Sequence, residues 1–78
     1  MKHAITILGS TGSIGTQSLD VVRQNPSLQV LGLSANHNIE LLEAQAREFS
    51  PRLVCVCDEE KAKELKIRLA DTSVRVIS

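Results

Sequence analysis

Three regularly spaced glycines form the segment of this sequence best suited to chemistry. They lie in Gly9-Ser10-Thr11-Gly12-Ser13-Ile14-Gly15, with two residues between successive glycines. A turn of this kind between a strand and a helix brings the backbone close to a pyrophosphate, which leaves no room for a Cβ at Gly12. The helix must also pack closely on the strand, which favours a small residue at Gly15. Free N–H groups of the first helical turn then point at the phosphates, so the spacing indicates a phosphate-binding turn.

Hydroxyl side chains accompany these glycines and add donors beside the expected phosphates; they belong to Ser10, Thr11 and Ser13. A glycine-rich turn without a ligand stays open as the alternative. A mononucleotide P-loop is disfavoured, because that motif needs a lysine directly after its last glycine. In this sequence Thr16 follows Gly15 instead.

The polar segment after the second predicted strand indicates the type of cofactor. It reads Ser34-Ala35-Asn36-His37-Asn38 and contains no acidic residue before Glu40. Enzymes that use NAD tend to place Asp or Glu there to hold the ribose 2′-hydroxyl. An acid would repel a 2′-phosphate, whereas amides and an imidazole can accept one, so the segment predicts NADPH rather than NADH. Two plainer roles stay open, a solvated loop position for His37 and a helix cap for Asn38.

Apolar runs of the strand type alternate with helical patterns along the chain. Strands are predicted over residues 3–8, 28–34, 53–57 and 74–77, and helices over 13–24, over 39–49 and after residue 58. Asn38 and Asp58 are the predicted N-caps of the second and third helices. Such alternation implies right-handed crossovers and a parallel sheet. The predicted fold class is therefore α/β, an incomplete Rossmann-like parallel sheet with flanking helices in the order βαβαβαβ.

Two further predictions concern which side chains these elements bury. In the first helix, Ile14, Ser18, Val21 and Val22 are expected on one side. In the third strand, the unbroken apolar run over residues 53–57 predicts that both faces of the strand are covered.

Composition excludes several classes of function. A chain of 78 residues fits one small domain. Nine basic and nine acidic residues cancel, so the chain has no long-range attraction for nucleic acid or an anionic membrane. Phe49 is the single aromatic residue, which leaves little for base stacking. No apolar run approaches the roughly 20 residues of a membrane span, and a cytoplasmic protein is expected.

The two cysteines lie two positions apart in the third predicted strand. Cys55 and Cys57 would share one face there, too far apart for easy bridging. A metal site needs further ligands, and His3 and His37 are the only histidines. The cysteines are therefore interpreted as small hydrophobic residues of a buried strand.

Three blocks of this sequence resemble the start of the 1-deoxy-D-xylulose 5-phosphate reductoisomerase family. The first and most specific block runs from Ile7 to Pro26 and includes the glycine turn. The others are Leu33-Ser34-Ala35-Asn36-His37-Asn38 and Glu48-Phe49-Ser50-Pro51-Arg52. Where this chain has Asn36-His37, the family often has a small residue followed by lysine or arginine. A neutral imidazole is a weaker phosphate partner than such a cation.

The resemblance implies an enzyme that rearranges 1-deoxy-D-xylulose 5-phosphate and reduces the aldehyde intermediate to 2-C-methyl-D-erythritol 4-phosphate, in non-mevalonate isoprenoid biosynthesis. The implied cofactors are NADPH and, in the full-length protein only, Mg²⁺ or Mn²⁺; the implied assembly is a homodimer. The implied cofactor-binding residues are Thr11, Gly12, Ser13, Ile14, Asn36, His37 and Asn38.

The same resemblance places the catalytic and metal-binding residues outside this chain. Residues 1–78 are then the N-terminal part of an NADPH-binding domain, without the catalytic and C-terminal domains, and are expected to be inactive alone. Two alternatives stay open. One is the NADP-binding module of another oxidoreductase, such as a semialdehyde dehydrogenase, and the other is a non-enzymatic α/β regulatory module.

Overall fold

Strands and helices alternate throughout the part of the chain that the structure, a computed structural model, describes, residues 3–78. The strands are β1 (His3–Ile7), β2 (Leu28–Ala35), β3 (Leu53–Val56) and β4 (Arg75–Ile77). The helices are α1 (Ser13–Arg23), α2 (Ile39–Phe49) and α3 (Glu59–Arg68). The predicted order βαβαβαβ is confirmed, with boundaries that differ from the predicted ones by at most one residue. No helix in this range has the length and apolarity needed to cross a membrane.

The four strands form one parallel sheet in the order β1-β2-β3-β4. Each crossover steps in the same direction, and right-handed crossovers then place the three helices on one face of the sheet. Side chains from all three helices share a single core with that face, as Leu19, Leu42 and Leu65 do with Val54. The carboxyl ends of the strands lie at one edge, where β1 and β2 lead into the turn and the polar segment identified above.

The opposite face of the sheet stays partly exposed within residues 3–78. Val54 and Val56 of β3 are fully buried, but Leu53 is 36% exposed and Cys55 is only half-buried. The prediction that both faces of β3 are covered is therefore wrong for the described chain. An apolar run shows that both faces suit a buried environment, but strand order decides where the helices lie.

The pairing of β1 with β2 contains a local irregularity. The pairing slips by one residue between Ile5 and Thr6, whose partners are Val30 and Gly32. Leu31 therefore has no direct partner and is 41% exposed. Val30 before the slip still reaches the core, and so do Leu33 and Ala35 after it. Because of this shift, β2 buries side chains in the same core both before and after the irregularity.

Helix α1 turns a different side to the sheet from the predicted one. Its buried residues are Gly15, Leu19 and Val22, whereas Ile14 is 80% exposed and Val21 is 58% exposed. The predicted stripe is therefore wrong at Ile14 and Val21, whereas Val22 is buried and Ser18 is half-buried. The prediction considered only the apolar side chains. Gly15 has to lie against the turn, and this contact sets the rotation of the helix.

The predicted caps are confirmed. The Asn38 side chain accepts a hydrogen bond from the Leu41 N–H at 3.3 Å. Asp58 Oδ1 accepts from the N–H groups of Glu60 and Lys61 at 3.0 and 3.2 Å. Because such acceptors satisfy otherwise unpaired N–H groups, they hold the starts of α2 and α3 at the carboxyl ends of β2 and β3.

An ion pair joins α1 to α2 at the far ends of the two helices. The Arg23 guanidinium donates hydrogen bonds to both carboxylate oxygens of Glu48 and lies 5.2 Å from the Phe49 ring centroid. These hydrogen bonds hold the pKa of the Glu48 carboxyl below its usual range. Both side chains are nearly half-exposed, so solvent screening keeps the contribution to stability small.

Candidate functional site

The turn after β1 needs a glycine for its backbone at one position only. Gly9 has a φ of +66°, in the left-handed region that favours glycine. The Gly12 N–H donates to the Gly9 carbonyl at 3.0 Å and closes the turn. The chain thereby reverses from β1 into α1 within a few residues.

Gly15 is required by close packing, as the sequence predicts. A Cβ at this position would lie 2.3 Å from the Gly9 carbonyl oxygen and 2.5 Å from Ser10 Cα. Both atoms belong to the backbone, so no side-chain movement could relieve the overlap. The start of α1 is thus pressed directly against the turn.

Gly12 differs from both of these glycines, because nothing inside the described chain requires it. Its φ of −81° and ψ of 176° describe extended backbone that any residue adopts. An added Cβ would lie 3.4 Å from the Gly9 carbonyl oxygen, an ordinary contact. No side chain caps α1 at this N-cap position, so the first N–H groups of the helix remain available for an acceptor from outside.

The structure assigns Ser10 a different role from the hydroxyls around it. Ser10 is fully buried, and its hydroxyl donates to Gln45 Oε1 at 2.8 Å. The expectation that Ser10 offers a donor to phosphate is therefore wrong. Ser13 is exposed and Thr11 is half-exposed, so those two hydroxyls can still reach a ligand.

Gln45 and Ser34 support the turn, a role that was not predicted from the sequence for either residue. Ser34 Oγ accepts from the Gly9 N–H at 2.9 Å, and the Ser34 carbonyl accepts from the Ser10 N–H at 2.8 Å. The available signal for Gln45 was a polar residue on the buried stripe of α2, between Leu42 and Ala46. A polar side chain at such a position needs a buried partner.

Five of the seven predicted cofactor-binding residues line one groove of about 310 Å³. On one side lie Thr11 and Gly12, and on the other lies the segment 36–38. Ser13 and Ile14 do not line this groove; they lie on the first turn of α1, where Ile14 is 80% exposed. The arrangement places the turn and the polar segment on the same edge of the sheet, with a cleft between them.

Two more residues reach this region from other elements. Cys57 lines the groove and is exposed, which corrects the prediction that both cysteines are buried. Lys61 shares an adjoining groove of about 270 Å³ with His37 and Asn38, together with Glu40 and Glu64. This lysine comes from α3, so only the packed structure brings it near the segment 36–38.

Metal-binding side chains do not gather within residues 3–78. No group of three or more His, Cys, Asp or Glu side chains in this range is arranged to hold an ion. Separately, the uncapped N–H groups at the start of α1, the hydroxyls of Thr11 and Ser13 and the amides of the segment 36–38 can bind an anionic ligand.

Comparison with known proteins gives a consistent result. The family model for 1-deoxy-D-xylulose 5-phosphate reductoisomerase matches residues 5–78. A reductoisomerase from Lachnoclostridium phytofermentans is 62% identical over 72 residues, covering 92% of this chain and 19% of that protein. One from Acetivibrio thermocellus is 58% identical over 77 residues, covering 99% of this chain and 20% of that protein.

Solved structures agree with this result. A Zymomonas mobilis reductoisomerase in complex with NADPH is 33% identical, with a TM-score of 0.94, covering 99% of this chain and 21% of that one. A reductoisomerase with NADPH, fosmidomycin and magnesium is 29% identical, with a TM-score of 0.89, covering 99% of this chain and 19% of that one. The chain thus spans about a fifth of the length of the relatives it matches. The family match over residues 5–78 shows that this chain belongs to the 1-deoxy-D-xylulose 5-phosphate reductoisomerase family.

Proposed function

We propose that these residues form the N-terminal part of the NADPH-binding domain of a 1-deoxy-D-xylulose 5-phosphate reductoisomerase. We call the longer chain to which they would belong the complete protein. It would rearrange 1-deoxy-D-xylulose 5-phosphate and reduce the intermediate to 2-C-methyl-D-erythritol 4-phosphate. The observation that carries the proposal is Gly12, a glycine that the chain's own packing does not need, placed on the groove between the turn and the segment 36–38.

The turn would hold the pyrophosphate of NADPH. Thr11 and Gly12 line the groove, and Ser13 and Ile14 provide N–H groups at the start of α1. Backbone N–H groups at a helix N-terminus bind anions, and the helix dipole adds to this attraction. When bound, NADPH supplies the hydride that reduces the aldehyde intermediate.

The segment 36–38 would hold the 2′-phosphate. Asn36, His37 and Asn38 are exposed at the groove and offer amide and imidazole donors. Lys61 lines the adjoining groove and would add the positive charge that the segment itself lacks. The nearby carboxylates of Glu40 and Glu64 oppose that charge in part.

Substituting His37 by aspartate tests the 2′-phosphate role. A carboxylate beside the phosphate adds like-charge repulsion, so the KM for NADPH of the complete protein should rise about tenfold. The KM for NADH should change less than about twofold, because NADH has no 2′-phosphate. Steady-state kinetics measures the KM for each cofactor in the variant and in the wild type, and His37→Asn serves as the uncharged control. Equal increases in KM for NADPH and NADH would show that this segment does not contact the 2′-phosphate.

The reaction itself is tested with the complete protein. Incubation with 1-deoxy-D-xylulose 5-phosphate, NADPH and Mg²⁺ should oxidise NADPH and form 2-C-methyl-D-erythritol 4-phosphate, identified by mass spectrometry. Residues 1–78 alone should show no turnover, since no catalytic residue is assigned within them. Oxidation of NADPH only with a semialdehyde or another carbonyl substrate would instead identify a different oxidoreductase.

We propose further that the complete protein is a cytoplasmic homodimer. The balanced charge of this chain supports a location away from anionic membranes and nucleic acid. Light scattering on the purified protein measures its mass, and a monomer would contradict the dimer.

A further inference from the structure

Two buried polar side chains, Ser10 and Gln45, lie beneath the turn. They are 0% and 4% exposed, and the rest of the core of residues 3–78 is apolar. The residues are 35 positions apart in the chain, with Ser10 in the turn and Gln45 on α2, yet each is the hydrogen-bond partner of the other. Buried polar groups cost stability unless they are paired, so this contact needs a reason beyond packing.

The contact consists of two hydrogen bonds in a closed ring. The Ser10 hydroxyl donates to Gln45 Oε1 at 2.8 Å, and Gln45 Nε2 donates to the Ser10 carbonyl at 2.8 Å. Because a carbonyl oxygen can only accept, the amide has one orientation that satisfies both bonds. The Ser10 N–H is held as well, by the Ser34 carbonyl at 2.8 Å. Ser10 is therefore fixed through its N–H, its hydroxyl and its carbonyl.

Ser10 transmits this restraint to the start of α1. Gly15 lies so close to Ser10 that an added Cβ would be 2.5 Å from Ser10 Cα. A shift of Ser10 would therefore move the first turn of α1, whose N–H groups are proposed to bind the pyrophosphate. Gln45 also lies on α2, the helix that begins at Ile39 directly after the segment 36–38. One helix thus supports the turn and carries the segment at its N-terminus.

We propose that Gln45 is a positioning residue, which sets the distance between the pyrophosphate-binding turn and the 2′-phosphate segment by holding Ser10 on α2. The inference rests on the proposed function. A turn that is held in place before the cofactor arrives loses less entropy on binding, and small displacements at such a site weaken it strongly.

The test is Gln45→Met in the complete protein, which keeps the length of the side chain and removes both hydrogen bonds. The KM for NADPH should rise about tenfold, and that for NADH by a similar factor, because both cofactors share the pyrophosphate. The KM for 1-deoxy-D-xylulose 5-phosphate should stay within about twofold. The equal effect on the two cofactors separates this role from that of His37.

Two controls separate positioning from general loss of stability. Val76→Ala on β4 truncates a core side chain on the strand farthest from β1, so it should lower stability without changing the KM for NADPH. The double variant Ser10→Ala/Gln45→Met removes the buried hydroxyl that Gln45→Met leaves with only its longer hydrogen bond, to the Ser34 carbonyl at 3.2 Å, so it should recover stability in part. Its KM for NADPH should remain as high as that of Gln45→Met, because the Ser10 position is still not held.

The outcomes lead to different conclusions. A KM for NADPH within twofold of wild type in Gln45→Met, or a recovered KM in the double variant, would overturn the positioning role and leave the proposed function intact. Failure of the wild-type complete protein to bind NADPH, measured by calorimetry before any substitution, would overturn the proposed function and this inference together.

Discussion

The Gly12→Val variant of the complete protein should bind NADPH about a hundredfold more weakly than wild type, or worse. The side chain would enter the groove where the pyrophosphate is proposed to lie, and so separate the phosphate oxygens from the N–H groups of α1. The fold should tolerate the change, because Gly12 has extended backbone that suits a β-branched residue, and a Cβ there makes only an ordinary contact. Isothermal titration with NADPH measures the loss, and circular dichroism checks the fold.

A graded control belongs with this experiment. Gly12→Ala adds a single methyl group and should weaken NADPH binding less than Gly12→Val, with the same secondary structure. Unchanged affinity in the valine variant would remove the turn from the cofactor site. A valine variant that loses both its affinity and its secondary structure would show instead that glycine is needed for folding.

The Gly15→Ala variant should lose stability rather than only affinity. Its Cβ would lie 2.3 Å from the Gly9 carbonyl oxygen, well inside the 3.0 Å below which something must shift. Alanine normally favours a helix over glycine by about 1 kcal/mol. Overlap with backbone atoms outweighs this gain, so the free energy of unfolding of the domain should fall by about 3 kcal/mol. Native-state hydrogen exchange of amides in β1 and β2 measures this change separately from the rest of the complete protein.

Gly32→Ala is the matched control for that experiment. Its Cβ would lie 3.3 Å from Thr6 Cγ2, a side-chain atom that can move by a few tenths of an ångström. The loss of stability at Gly32 should therefore be about 1 kcal/mol or less. Similar losses at both positions would contradict the view that α1 is pressed on the turn at Gly15.

Much of the architecture could be predicted from the sequence, because the relevant signals are local. Residues 3–8, 28–34 and 53–57 were recognisable as strands from short apolar runs, and each is a strand with slightly different ends. The caps at Asn38 and Asp58 follow from side chains that satisfy N–H groups two or three residues away. The order of these elements was sufficient to predict a parallel sheet.

The burial of α1 and β3 could not be predicted in the same way. Hydrophobic spacing shows that a helix has an apolar side, but Ile14 and Val21 lie in solvent because Gly15 sets the rotation of the helix. The apolar run in β3 likewise gives no information on strand order. That order, β1-β2-β3-β4, places the three helices on one face of the sheet.

For the candidate site too, local features could be predicted from the sequence, whereas long-range contacts could not. The spacing of Gly9, Gly12 and Gly15 indicated by itself a phosphate-binding turn, because backbone reversal and close approach depend on residue types within a few positions. Only the tertiary structure decided that Ser10 faces inward to Gln45, since that contact joins residues 35 positions apart. Contacts at such separation depend on how the elements pack, and local residue preferences carry no information about that packing.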